Sequence, residues 1–242
     1  MLMLEQTKPD IDKNKLIKTL GGHSADSLSH SAGKTFENLT ARITDLMSPR
    51  IIYRMLKIAS CKDSLQLEGG LRFNSLKATK IFDGCTDVCC FLATIGNNID
   101  EEIVRLTSRK RSPDAYILDA MGSNAIENVV ESFHNRVKKR MLSEGKAVTL
   151  RLSPGYCDWP LREQKKIFSL LDAQKIGVEL CASSLMQPRK TISGIFGIMP
   201  PSADCNKAAY NPCSDCIKEH CIARRTEFIH KNTTLAASEE IL

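Results

Sequence analysis

Residues 151–156 place Arg151, Ser153, Gly155 and Tyr156 within one short turn. An arginine presents a planar fork of donors that matches a carboxylate. A glycine lets backbone N–H groups approach a ligand closely, and a tyrosine adds a flat face with a hydroxyl. The combination suits an anionic ligand. The same spacing also suits a strand-exit turn with a surface arginine and a core tyrosine, because short glycine motifs are common.

A second constellation lies near the C-terminus. Cys205, Cys213, Cys216 and Cys221 are close in sequence, and His220 stands beside the last of them. Thiolates so arranged are candidate ligands for zinc or for an iron–sulfur cluster. They equally describe a reduced, exposed tail, since the spacing is not that of a standard ferredoxin or zinc finger. The chain has 10 cysteines in all. Its first residues show no basic start, no sustained apolar core and no small-residue cleavage site. The expected compartment is therefore the cytoplasm, where thiols stay reduced. Cys85, Cys89 and Cys90 lie in or near an apolar run and read as buried small hydrophobes.

The elements that must position these residues follow from periodicity. The first 50 residues read as helical, with stripes at Ile11, Leu16, Ile17 and Leu20 and at Phe36, Leu39, Ile43 and Leu46. Residues 50–100 read as strands and turns, and 88–95 is a continuous apolar run of buried-strand length. The longest periodic segment is 114–142. Leu118, Gly122, Ala125, Val129, Phe133, Val137 and Met141 recur every three or four residues and line one helical face. Pro113 and Gly145 bracket it. A strand is expected over 147–152, a helix opening at Asp158 and Trp159 and carrying Ile167 and Leu170, and strands over 178–180 and 192–198. Without regular βαβ alternation, the mixture is α+β.

Composition limits the function. The 242 residues are 42% hydrophobic and 26% charged, which excludes a disordered chain, a collagen and a rod. No apolar run approaches the roughly 18 residues of a membrane span. Net charge is +6 and aromatics are 5%. The basic clusters at 109–111 and 136–140 carry no aromatic neighbours, so they read as solvated faces rather than a nucleic-acid surface.

The stretch from Arg151 to Tyr156 resembles the Arg-x-x-x-Gly-Tyr signature of the activation domain of cobalamin-dependent methionine synthase. Three further pieces resemble that family in the same order: DAMGSNAIENVVESFHNRV at 119–137, EQKKIF at 163–168, and IGVEL at 176–180 followed by Met186, Pro188, Ser193 and Gly194. The likeness covers about residues 80–198. It implies a twisted, mainly antiparallel sheet flanked by helices over residues 1–198, followed by a cysteine-rich appendage at 199–230 and a flexible tail at 231–242.

The resemblance also implies an activity. Such a domain binds S-adenosylmethionine and presents its methyl group to cobalt, so that one-electron reduction and methylation restore an oxidised cobalamin. Carried over, Arg151 would hold the methionine carboxylate, Ser153 and Gly155 would touch the ligand through their backbones, Tyr156 would form the pocket, and Glu127 would meet the cationic part of the ligand. Where the family has an aspartate one turn before that glutamate, this chain has Ser123. His134 reads as a surface or boundary histidine. The chain has no room for the other domains of methionine synthase, so the expected role is reactivation of a separate corrinoid protein or split methionine synthase, with cobalamin on that partner and an electron donor besides. No nucleic-acid or membrane partner is expected. The alternatives are a non-catalytic docking or regulatory module, or a metal-binding protein that works through its cysteine segment.

Overall fold

The computed structural model describes residues 2–6, 16–17, 30–201, 208–214, 216, 218–220 and 226–227. Its strands are β1 (Leu2–Gln6), β2 (Arg50–Cys61), β3 (Leu65–Leu67), β4 (Arg72–Phe73), β5 (Asp87–Thr94), β6 (Ala147–Val148), β7 (Glu179–Leu180), β8 (Met186–Gln187) and β9 (Thr191–Met199). Helices are α1 (His30–Leu46), α2 (Leu76–Ile81), α3 (Asn98–Ser108), α4 (Ser112–Ser143) and α5 (Gln164–Leu170). The main sheet is antiparallel in the order β4-β3-β2-β5-β9-β6, with β1 also on β2; β7 and β8 form a separate hairpin.

The apolar run at 88–95 is explained by β5, which is central and covered on both faces. Its side chains alternate. Cys89, Phe91 and Ala93 join the core beneath α1, α3 and α4, whereas Val88, Cys90 and Leu92 join the core beneath α2, α5 and Trp159. Cys85, Cys89 and Cys90 are buried as expected. Burial pushes the Cys85 and Cys90 thiols up to about 12, so they are protonated and unreactive near neutrality.

Helix α4 is fixed on the sheet by Phe133. Its ring lies 4.9 Å from Tyr53, 5.8 Å from Phe91 and 5.9 Å from Phe196, centroid to centroid. Each such pair adds about 0.5–1.5 kcal/mol beyond its buried area. The 32-residue helix is thus held near its middle, and residues one to four turns N-terminal to Phe133 inherit that position.

Four sequence expectations change. The N-terminus is not helical throughout: Leu2–Gln6 pairs with Arg50–Arg54 as a strand. Leu16 and Ile17 are helical and buried, while Ile11, Leu20 and residues 231–242 lie outside the described residues. Helix α2 stands where residues 50–100 read as strands and turns, and helix α3 begins at Asn98, at the end of that stretch, and runs on to Ser108. Helix α2 was hidden because its start depends on Asp158, far away in sequence. The carboxylate accepts from the Leu76 N–H at 2.6 Å and from Ser75 Oγ at 2.6 Å, while Ser75 Oγ accepts from Ala78 N–H at 3.0 Å. The fourth change is the strand over 147–152. It holds only at Ala147–Val148 and at an isolated bridge between Leu152 and Ile195.

Candidate functional site

That interruption positions the arginine. At Thr149 the N–H still donates to the Gly197 carbonyl at 3.0 Å, but the hydroxyl takes the place of the carbonyl as acceptor: Gly197 N–H donates to Thr149 Oγ1 at 2.9 Å. The Thr149 carbonyl turns instead to helix α4, where His134 Nε2–H donates to it at 2.9 Å. Pairing resumes at Leu152, whose N–H donates to the Ile195 carbonyl at 2.8 Å. The residues between leave the ladder, and Arg151 reaches α4. His134 is therefore buried rather than at a surface. It stacks edge-on against Phe196 at 4.8 Å, and burial moves its pKa below the ordinary histidine value against the pull of the Thr149 hydrogen bond.

Gly194 lets this segment lie against β9. A Cβ there would stand 2.9 Å from Ser153 Oγ and 3.0 Å from the Leu152 carbonyl oxygen. Gly155 has φ +92°, a conformation that a residue with a Cβ rarely adopts. Its N–H donates to the Trp159 carbonyl at 2.8 Å, Tyr156 N–H donates to Ser153 at 3.2 Å, and Trp159 N–H donates to Tyr156 at 3.0 Å. The turn is closed on itself. The Gly155 amide is thus engaged within the loop. Tyr156 is 45% exposed; it is not a core tyrosine.

The loop is anchored from below. Glu163 is buried and accepts from Asn74 N–H at 2.9 Å, Asn74 Nδ2 at 3.1 Å, Trp159 Nε1 at 2.9 Å and Lys166 Nζ at 2.8 Å. Burial alone would raise its pKa. The hydrogen bonds from Lys166, Asn74 and Trp159 outweigh burial and hold the carboxyl below the ordinary glutamate value.

Arg151 and Glu127, 24 residues apart, meet in an ion pair between the motif loop and α4. The side chains are 14% and 39% exposed, so the pair is partly open to water. Asp119, Ser123 and Glu127 follow each other at four-residue steps and share one helix face. At the other end of that stripe Lys190, which precedes β9 and is buried, donates to Asp119 Oδ1 at 2.8 Å and to Ser123 Oγ at 2.9 Å. Arg189 Nη2 adds a contact to Asp119 at 3.3 Å. Ser123 is therefore held by a cation. Sequence reasoning missed Lys190, Asp158 and Glu163, since each acts through a partner more than 60 residues away or through a core side chain. The stripe Asp119, Ser123, Glu127 was the one signal available.

Cys213 and Cys216 sit in a turn closed by Cys216 N–H to the Cys213 carbonyl at 3.5 Å. Cys157, at the end of the motif loop, has its thiol pushed up by burial and by Cys216 and Cys213 nearby. Cys205 and Cys221 lie outside the described residues. Among the described residues no group of three His, Cys, Asp or Glu side chains is arranged to hold a metal ion, and no helix is long and apolar enough to cross a membrane.

Comparison with known proteins bears on the whole arrangement. The family described as vitamin B12 dependent methionine synthase, activation domain, matches residues 78–215. This span includes the α4 acid, the arginine loop and β9. Among solved structures, the crystal structure of the MetH reactivation domain bound to AdoHcy matches with a TM-score of 0.63 at 15% identity, covering 84% of this chain and 80% of that one. At that identity the likeness is one of fold. No curated protein matches.

Proposed function

This chain belongs to the family of vitamin B12 dependent methionine synthase activation domains, and from that premise we propose that it binds S-adenosylmethionine and supports reductive methylation of cobalamin carried by a separate protein. The observation that carries the reading is the contact of Arg151 on the motif loop with Glu127 on α4. S-adenosylmethionine bears a carboxylate, an ammonium and a sulfonium, so its site needs both signs of charge side by side. The two residues supply them. Arg151 takes the carboxylate through its planar fork. Glu127 faces the cationic groups. The exposed Tyr156 ring covers the outer side, and the rigid turn at 153–159 fixes the depth at which the ligand rests.

Bound in this way, S-adenosylmethionine supplies a sulfonium methyl to reduced cobalt on the partner. The chain's own contribution is positioning: it holds the amino-acid tail and leaves the methyl directed outward, so that two large molecules meet in one geometry. An electron donor belongs to the same proposal. The body of the chain would be 1–198 and the appendage 199–230. The spacing of Cys205, Cys213, Cys216 and Cys221 motivates a second reading, in which the appendage carries zinc or an iron–sulfur cluster. Zinc, iron and sulfide analysis of anaerobically purified protein decides it, and metal-free protein with full activity would remove it.

The test of the main proposal is a reconstitution. The chain is added to a cobalamin-carrying methionine synthase fragment in the Co(II) state, with a low-potential reductant and methyl-labelled S-adenosylmethionine. Labelled methylcobalamin should rise about tenfold or more over the mixture lacking the chain. Equal labelling with and without it would contradict the proposal.

A further inference from the structure

We infer that a cavity under the C-terminal end of α4 is a second binding site, built for a small amphipathic carboxylate: an apolar body with one anionic head. It lies apart from Arg151. Val137, which lines it, is about 15 Å along the helix axis from Glu127, at ~1.5 Å per residue. None of the described residues that line it belongs to the 151–156 turn or to the stripe of Asp119, Ser123 and Glu127. The inference therefore stands or falls independently of the function proposed above.

The cavity follows from the packing of α4. Phe133 holds the helix a ring's width above the sheet, on Tyr53, Phe91 and Phe196. One turn on, Val137 faces the same gap with a smaller side chain, and the helix ends at Ser143. A cavity of about 270 Å³ remains. Below it Tyr53, Met55 and Lys57 alternate on one face of β2, while Lys57, Asp87 and Ile198 stand side by side across β2, β5 and β9. Tyr53, Val137, Met141 and Ile198 are buried, and Met3 and Met55 partly so, which makes the floor apolar. Three of those side chains are methionines, unbranched and adaptable, so the floor accepts bodies of differing shape. The volume sets the size: about nine heavy atoms, at the roughly 30 Å³ that a water molecule occupies in the liquid.

The rim sets the sign of the head. It carries Lys57, Arg140 and Lys146 against Asp87 and Glu144. Each acid already has a lysine, Asp87 with Lys57 at 2.8 Å and Glu144 with Lys146 at 2.7 Å. Arg140 Nε stands 3.9 Å from Glu144, beyond hydrogen-bond distance, and its side chain is 71% exposed. The rim thus has one cation in excess, and that cation is a guanidinium, whose planar fork matches a carboxylate. A carboxylate head placed at Arg140 stays at the wet edge while its body enters the cavity. An ammonium in the same place would meet the surplus positive charge.

The test is an NMR titration of protein isotope-labelled at its methionine methyls, with octanoate, octanol and octylamine as probes. Octanoate should saturate the site at about 1 mM or below, with the shifts at Met55 and Met141. Octanol should bind about fivefold more weakly, and octylamine more weakly still. Arg140→Glu, at an exposed position, should weaken octanoate about fivefold and leave octanol unchanged. Val137→Phe fills the cavity and should remove the binding of all three, with thermal denaturation to show that the fold is kept. Equal affinity for the three probes, octanoate binding unchanged in Arg140→Glu or in a folded Val137→Phe, or shifts confined to methionines away from the cavity would overturn the inference. So would the lack of saturation by about 10 mM octanoate.

Discussion

Arg151→Ala is expected to weaken binding of S-adenosylhomocysteine by about 2–5 kcal/mol, a loss of roughly 30-fold or more. The Arg151 side chain is 14% exposed, and its position follows from the ladder interruption between Val148 and Leu152. A ligand carboxylate placed there would lose its fork of donors and would stand against Glu127 with no cation between them. Arg151→Lys should recover only part of the loss, because an ammonium supplies one point charge where the fork supplies two parallel bonds. Isothermal titration reads both variants, with thermal denaturation to show that the fold is kept. If Arg151 were only a surface counter-ion for Glu127, affinity in the alanine variant would be unchanged and the melting temperature would shift slightly, as half-exposed pairs contribute little.

The largest effect on stability is expected at Glu163. Its carboxylate, 5% exposed, satisfies the Asn74 amide groups, the Trp159 indole and Lys166. Glu163→Ala leaves the Asn74 and Trp159 donors without that acceptor, while Lys166 keeps the Arg72 carbonyl, and should cost about 3 kcal/mol by urea denaturation. The pH dependence has a fixed sign. The folded-state pKa lies below the ordinary value, so the stabilisation is complete above the unfolded-state pKa near ~4.3 and fades as pH falls through the folded value. Wild-type stability should drop below about pH 4.3 with a slope that Glu163→Gln lacks in part. Equal slopes would show that the carboxylate is not held in its charged form. Because Trp159 closes the motif loop through the Gly155 N–H, the alanine variant should also bind ligand less tightly than its stability alone explains.

How far the sequence carried the site depends on where each determinant lies. Helix α4, the central strand β5 and the strand at 191–199 were visible because their apolar periodicity is local and long. The signature at 151–156 and the acid at Glu127 were visible as matches to a family pattern. Their contact was not, since 24 residues separate them and the approach requires Arg151 to leave the ladder. The cause of that departure, the Thr149 hydroxyl with His134 beneath the carbonyl, has no periodic signal. Helix α2 was missed for a related reason: its Ser75 cap and its first N–H are held by Asp158, more than 80 residues away. The expected backbone role of Gly155 is narrowed by its hydrogen bond to Trp159, a tertiary fact that a short glycine motif does not encode. The expected metal ligands Cys205 and Cys221 lie outside the described residues.

The central claim is that one pocket between α4 and the 151–156 turn grips an amino-acid tail. A crystal structure of the chain grown with S-adenosylhomocysteine tests it most directly. The account predicts the ligand carboxylate in hydrogen-bond contact with the Arg151 guanidinium, with Glu127 turned from the arginine toward the ligand ammonium. A ligand bound elsewhere, with the Arg151–Glu127 pair still closed, would contradict it.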